Sequence, residues 1–195
     1  MNASFAPPRE SANDPVWIGQ HNAHHLEHIL RAQRSGRTCL PNRLGLSDSE
    51  FALLAQAIPG LQQATTDVLD TAAQSRGELR QELLEMRRDE WQDIVTLLLE
   101  NRRQQDDSEA FMAHIVAAAC LGSEHLWRDL GMDSREQLRQ LLTDNFPALV
   151  QRNDKDMRWK KFFYKQLCEQ EGGYVCRSPT CEQCPTYHDC FGDES

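Results

Sequence analysis

Four of the seven cysteines in this 195-residue chain lie within fifteen residues of one another near the C-terminus. They are Cys176, Cys181, Cys184 and Cys190, at the spacing C-x4-C-x2-C-x5-C. Thiolates are soft, charged ligands that suit Zn²⁺, Cu⁺ and iron–sulfur clusters. Because the gaps between the thiols are only two to five residues long, one loop can surround a single centre. The spacing therefore predicts a metal site.

The spacing alone leaves the kind of metal open. Structural zinc sites more often pair two C-x2-C units that are separated by a dozen or more residues, and here only Cys181 and Cys184 form such a unit. The bacterial ferredoxin run C-x2-C-x2-C-x3-C is comparably compact. A disulfide framework fits poorly with an odd number of cysteines. The spacing thus favours an iron–sulfur cluster, with zinc as the alternative.

A basic and aromatic segment, DMRWKKFFYKQLCEQ, leads into the cysteines. At the helical angle of about 100° per residue, its Trp159, Phe162 and Phe163 fall on one side, as is typical of a stripe that faces a core. Its cations gather on another side, and they are Arg158, Lys160, Lys161 and Lys165. This basic stripe is either a solvated face or a surface that offsets an anionic cluster or attracts an oxyanion or an acidic partner.

Two further side chains near the four cysteines are candidate ligands. Cys168 lies at the end of the aromatic segment, where it is either a spare metal ligand or a small buried apolar residue. His188 lies two residues before Cys190 and would be an additional ligand or a hydrogen-bond donor to one. We expect Cys120, within VAAACLG, to belong to the core and Cys39 to have no metal role.

Four histidines near the N-terminus share one face of a predicted helix, because they follow one another at helical spacing. They are His21, His24, His25 and His28. Such a face can chelate a divalent cation, as histidines four residues apart do in zinc sites. The alternative is a polar face that is exposed to solvent.

Composition restricts the classes of function. The net charge of −9, from 30 acidic and 21 basic residues, opposes binding to a phosphate backbone, so we expect no nucleic-acid partner. No apolar run reaches the eighteen or so residues of a membrane span, and the start lacks a secretory signal. We therefore expect a cytoplasmic protein with reduced thiols and no membrane partner. Phosphate-binding loops and hydrolase motifs are missing, which predicts that the protein is not an enzyme.

The elements that must position these residues are predicted to be helices. Leucine occurs 23 times, whereas valine and isoleucine together occur eleven times, and unbranched side chains lose little rotamer freedom in a helix. Apolar periodicity predicts helices over residues 16–34, 48–58, 78–105, 108–122, 123–131, 134–145 and 156–170. Capping residues precede three of them: Ser47 with Glu50 as a capping box, Asp106 or Asp107, and Asp133 with Glu136 at the box position.

The fold class predicted from these elements is all-α. We expect a bundle of six to eight helices with an irregular, cysteine-rich metal-binding loop at the C-terminus. Residues 1–15 carry three of the eight prolines and are predicted to be disordered. Residues 16–170 would form the helical bundle and residues 171–195 the loop, as one domain overall.

The sequence also closely resembles the NifQ family of nitrogen-fixation proteins. The resemblance rests on GSEHLWRDLGMDSREQLRQLLTDNFPAL, on MRWKKFFYKQLCEQEGGYVCRSPTCEQCPTYHDCFGDE and on LPNRLGLSDSEF. The spacing C-x4-C-x2-C-x5-C is the signature of that family and is matched here without gaps. The resemblance covers roughly residues 38–192 and is specific, because this helix joined to this spacing would rarely arise by chance.

The resemblance implies a molybdenum carrier and not an enzyme. It implies a molybdenum–iron–sulfur cluster whose ligands, by position, are Cys176, Cys181, Cys184 and Cys190. It also implies delivery of molybdenum to the NifEN scaffold and the nitrogenase iron protein, which build the iron–molybdenum cofactor of nitrogenase. A zinc-stabilised protein-interaction module and an iron–sulfur regulatory sensor are the alternative interpretations.

Overall fold

Ten α-helices lie in the part of the chain that the computed structural model describes, which comprises residues 18–58, 71–170 and 187–191. In chain order they are α1 Gln20–Arg34, α2 Asp48–Ala57, α3 Thr71–Met86, α4 Arg88–Glu100, α5 Ser108–Cys120, α6 Leu126–Asp129, α7 Arg135–Asn145, α8 Pro147–Arg152, α9 Trp159–Gln170 and α10 Tyr187–Phe191. These ranges contain no strand, so the predicted all-α class is confirmed. The predicted disordered segment 1–15 and most of the predicted loop 171–195 lie outside the described residues.

Helix α5 is the centre of the bundle. Its sequence, SEAFMAHIVAAAC, is apolar on nearly every side, and a helix that is apolar all round is stable only when it is buried. Of its residues only Ala110 and His114 keep partial exposure. α4 packs along α5, α9 packs on α4, and α6 lies against α5. The helix that leads toward the cysteines is therefore seated on the α4–α5 core.

A buried polar network joins α1, α5 and α7 on the other side of the bundle. The amides of Asn22 and Asn145 exchange two hydrogen bonds, at 2.7 and 2.8 Å, and the Asn22 amide also donates to the Ser108 hydroxyl at 2.8 Å. All three residues are fully buried. Because a buried amide without partners destabilises a fold by about 1–3 kcal/mol, the network specifies how these three helices meet.

The predicted helix starts are confirmed at α2 and corrected at α7. Ser47 accepts the Glu50 N–H at 3.3 Å while the Glu50 carboxylate accepts the Ser47 N–H at 2.8 Å, which is the predicted capping box. At α7 the N-cap is Ser134 and not Asp133, because the Ser134 hydroxyl accepts the Gln137 N–H at 3.2 Å. The prediction that Glu136 occupies the capping-box position was therefore wrong by one residue, because Gln137 lies three residues after the N-cap.

In the turn before α5, the carboxylates of Asp106 and Glu109 accept hydrogen bonds from backbone N–H groups. Asp106 accepts the Ser108 N–H at 2.8 Å, as the first of the two predicted caps. The Glu109 carboxylate, which is fully buried, accepts the N–H groups of Gln104 and Gln105, both at 2.7 Å. Asp107 occupies the N-cap position without a side-chain capping bond. The turn is thus closed by carboxylates at a helix N-terminus, where negative charge is favourable.

The predicted helix over residues 78–105 is wrong as one element, because the chain breaks at Arg87 into α3 and α4. The Arg87 N–H bonds to the Leu84 carbonyl at 3.1 Å, only three residues back, and its φ and ψ of −116° and 32° are not helical. Its guanidinium binds the Leu121 carbonyl at 2.8 Å and both carboxylate oxygens of Glu90 at 2.7 Å. The chain thus breaks where Arg87 contacts the end of α5, although the apolar periodicity of the sequence continues through this position.

Two short helices account for the rest of the difference between six to eight predicted helices and the ten that the described residues contain. Pro147 opens α8, which the sequence analysis did not predict, whereas α7 ends at Asn145 as predicted. A proline suits the first helical position because the N–H that it lacks would have no acceptor there. α10 lies inside the predicted irregular loop, and α9 begins at Trp159, three residues later than predicted.

A buried ion pair fixes the start of α9 against the turn between α5 and α6. The Lys160 ammonium contacts the Asp129 carboxylate and lies 2.8 Å from the Gly122 carbonyl. Asp129 also accepts the Glu124 N–H at 3.1 Å, and its backbone carbonyl accepts the Cys39 N–H at 3.0 Å. The Asp129 and Lys160 side chains are 5% and 17% exposed. Water therefore screens this pair weakly.

Among the described helices, none combines the length and the apolar character that crossing a lipid bilayer would require.

We predict that the free energy of unfolding falls as the pH drops below about 6.5, in part because of His25. Burial lowers the pKa of His25, opposed by its hydrogen bond to Asp144 at 3.0 Å and reinforced by the neighbouring His24 and His21. With the folded pKa below the unfolded one, the unfolded chain binds more protons in this window, so acid favours unfolding. Urea unfolding at about pH 7.5 and about pH 5.5 measures the difference.

His25→Gln should reduce that difference in unfolding free energy, because the unfolded variant no longer gains a proton at this position. His24→Gln is the matched control, since His24 is an exposed neighbour on the same helix, and it should keep nearly the full difference. Equal pH dependence in wild type and His25→Gln would contradict the assignment.

We predict that Asp129→Asn lowers the free energy of unfolding by about 3 kcal/mol, because it leaves the Lys160 ammonium buried without a counter-charge. The double variant Asp129→Asn with Lys160→Met should recover part of that loss. The control is Glu169→Gln, which removes the partner of Lys165 in an exposed pair at 3.0 Å on the same helix and should change stability by less than about 1 kcal/mol. Equal losses of unfolding free energy in the Asp129 and Glu169 variants would show that the buried pair contributes no more to stability than the exposed pair.

Candidate metal centre

The helix that carries Cys190 is bound to the start of α9. The Cys190 carbonyl accepts the Arg158 N–H at 2.8 Å, and the Arg158 guanidinium lies 3.3 Å from the Asp189 carbonyl. The rings of Tyr187 and Phe191 stack with their centroids 4.6 Å apart, and Cys190 and Phe191 pack against the core. The last of the four predicted ligands is thereby fixed at the surface of the bundle, where it is half-buried.

The other three predicted ligands, Cys176, Cys181 and Cys184, lie outside the described residues. The four-thiolate site therefore stays a prediction. His188 lies on α10 with an exposed side chain whose ring is 5.9 Å from that of Tyr187. In residues 18–58, 71–170 and 187–191, no group of three or more His, Cys, Asp or Glu side chains is arranged to hold a metal ion.

Cys168 and Cys190 lie at opposite ends of α9. Cys168 is half-buried in the last turns of the helix, whereas Cys190 is bonded to the residue that precedes its first turn. At 1.5 Å per residue, the nine steps from Trp159 to Cys168 span about 14 Å along the axis. Thiolates on one zinc ion lie about 2.3 Å from the metal. This separation does not favour Cys168 as a ligand beside Cys190.

The two cysteines expected to lack a metal role are both buried. Burial raises the pKa of Cys120 to about 12, and it raises the pKa of Cys39 further above its usual range, with a smaller contribution from the nearby Asp129 carboxylate. Metals bind the thiolate form, and burial disfavours that form at both positions. Cys39 also lies 3.6 Å from the Ala119 carbonyl as a hydrogen-bond donor.

The histidine face of α1 packs against neighbouring segments and is not a shared chelating site in the described residues. Three of the four rings have separate partners: His21 lies 3.7 Å from Asp106, His25 lies 3.0 Å from Asp144, and His28 lies 3.1 Å from the Gly131 carbonyl. His24 is exposed, His21 and His28 are half-buried, and His25 is buried. The alternative interpretation, a solvated polar face, is therefore wrong for His25.

The four cations of the basic stripe have different surroundings. Lys160 turns inward to Asp129, Lys165 pairs with Glu169 at 3.0 Å, and Arg158 contacts α10. Lys161 is exposed. The stripe thus divides into Lys165, which faces a carboxylate one turn along, and a group of three cations around the first turn of α9.

A cavity of about 300 Å³ lies beside this group. Its walls are the residues from Arg158 to Lys161 and the residues from Ser123 to Leu126, which connect α5 to α6. Sequence reasoning found the cations but missed the facing segment, which lies more than thirty positions earlier in the chain. The pair of oppositely charged residues that brings the segments together, Asp129 and Lys160, has no local sequence signal.

Comparison with known proteins gives the family of the chain. The family model described as NifQ matches residues 25–192. Protein NifQ from Azotobacter vinelandii is 60% identical over 192 residues, which cover 98% of both chains. Protein NifQ from Klebsiella pneumoniae is 39% identical over 167 residues, or 85% of this chain and 96% of that one.

A more divergent relative, Protein NifQ from Rhodobacter capsulatus, is 30% identical over 191 residues, or 97% of this chain and 98% of its own. No solved structure matches the chain. The family match takes in the aromatic helix and all four clustered cysteines. The chain belongs to the NifQ family, whose members are involved in nitrogen fixation.

Proposed function

We propose that this protein is a molybdenum carrier that supplies the biosynthesis of the nitrogenase iron–molybdenum cofactor. It holds its cargo in a molybdenum–iron–sulfur cluster on Cys176, Cys181, Cys184 and Cys190. The acceptors are the NifEN scaffold and the nitrogenase iron protein, and transfer takes place in the cytoplasm. The observation that carries the proposal is the four-cysteine spacing in a chain of the NifQ family.

The chemistry of the donors fits this cargo. Thiolates are soft ligands that suit iron–sulfur clusters and exclude hard cations such as Mg²⁺ and Ca²⁺. Four thiolates add negative charge to a chain of net charge −9, and the cations at the first turn of α9 lie beside the helix that carries Cys190. These cations would offset part of the negative charge of the four thiolates.

The position of Cys190 at the surface supports both the binding and the release of the metal cargo. Cys190 is half-buried on a five-residue helix that joins the bundle through backbone and side-chain contacts to Arg158. A partner can approach a ligand on the surface more readily than one in a core, and short peripheral elements open at lower free-energy cost than core helices. The protein acts as a carrier and not as an enzyme, because its task is to hold and hand over metal.

Metal analysis after purification without oxygen tests the proposal. We expect a brown protein that contains iron and molybdenum, together with an electron paramagnetic resonance signal from the cluster. A colourless protein with one zinc per chain and neither iron nor molybdenum would contradict it. That result would favour a zinc-stabilised interaction module.

Serine substitution separates a cargo site from a structural site. Cys181→Ser and Cys190→Ser should each lose most of the bound iron and molybdenum while keeping the helical circular dichroism, because the described bundle has its own core. Cys120→Ala is the control, since this thiol is buried in α5, and it should keep both metals. Global unfolding of the Cys181 and Cys190 variants would point to a structural metal site.

A further inference from the structure

The cavity at the start of α9 has the charge and the shape of a site for a small anion. Arg158, Lys160 and Lys161 line one wall, and Lys160 among them is paired with the Asp129 carboxylate. Its volume of about 300 Å³ is large enough for several water molecules at about 30 Å³ each. A concave site of this kind suits a small ligand, whereas a protein partner of opposite charge would need a broader and flatter surface.

Two of the three cations are already held in position. Lys160 is fixed by the Asp129 carboxylate and the Gly122 carbonyl, and its side chain is 17% exposed. Arg158 is fixed by the Asp189 carbonyl at 3.3 Å. An anion that binds here orders few further side chains, so less conformational entropy is lost than at a set of mobile surface lysines.

The backbone at the start of α9 adds further donors. The first N–H groups of a helix have no acceptor within the helix and favour negative charge, and α9 begins at this cavity with Trp159.

We propose that this cavity binds a tetrahedral oxyanion, and that molybdate is the oxyanion that the protein receives there. This inference rests on the proposed function, since it concerns the form in which the cargo arrives. The Arg158 N–H is bonded to the Cys190 carbonyl, so the oxyanion would bind beside the helix that carries a predicted cluster ligand. The proposal concerns binding alone.

The negative charge of Glu124 opposes anion binding. One substitution should therefore strengthen binding and another should weaken it. Glu124 lines the cavity, its side chain is 60% exposed, and its ion partner Arg128 is 3.9 Å away. A negative charge beside the cavity repels an oxyanion bound in it. Glu124→Gln should therefore tighten binding by a few-fold, whereas Lys161→Ala should weaken it by about tenfold, because a hydrogen bond to a charged group is lost.

The experiment is calorimetric titration of the full chain with sodium molybdate at low ionic strength, with sodium sulfate as a competitor. It is performed on wild type and on the full-length double variant Cys181→Ser with Cys184→Ser, which lacks two predicted cluster ligands. Both proteins should bind one molybdate, with an affinity that falls as sodium chloride is added. The matched control is Lys165→Ala, because Lys165 is on the same helix but outside the cavity. It should bind within about twofold of wild type.

The outcomes distinguish this inference from the carrier proposal. Loss of molybdate binding in the double cysteine variant, or equal affinity in Lys161→Ala and wild type, would overturn the cavity as the binding site and leave the carrier proposal standing. Binding that depends on Lys161 in a protein that purifies with zinc alone would support the cavity while contradicting the carrier proposal.

Discussion

Asp129 is the residue on which the arrangement around the candidate site depends. Its buried carboxylate binds the Lys160 ammonium and the Glu124 N–H, and its backbone carbonyl binds the Cys39 N–H. One residue of α6 therefore connects α9, the turn after α5 and the segment after α1. A buried carboxylate is stable only when such partners are present, so Asp129 couples the positions of these segments.

This constraint accounts for the different surroundings of the side chains along α9. Its aromatic residues Trp159, Phe162 and Phe163 are buried, with ring centroids 5.7–6.0 Å apart. Its first cation, Lys160, is used by the fold, whereas Lys161 next to it faces solvent. The helix thus exposes Lys161 to solvent while its aromatic side holds it on the core.

Sequence patterns predicted the features whose causes are local. The capping box of Ser47 and Glu50 formed as expected, because both partners lie within one turn. The composition of α5 likewise indicated burial of Cys120. The break at Arg87 was missed because its cause is a carbonyl at the end of α5, thirty-four positions away. The cavity was missed for the same reason, since its second wall comes from residues 123–126.

The bond between the Cys190 carbonyl and the Arg158 N–H has a consequence for chain entropy. Three of the four clustered cysteines lie between two anchored points of the chain, namely the end of α9 and the docked α10. A segment tethered at both ends has fewer accessible conformations than a loose tail. If the proposed cluster forms, the docked α10 would therefore reduce the conformational entropy lost when Cys190 and the other three cysteines bind one centre.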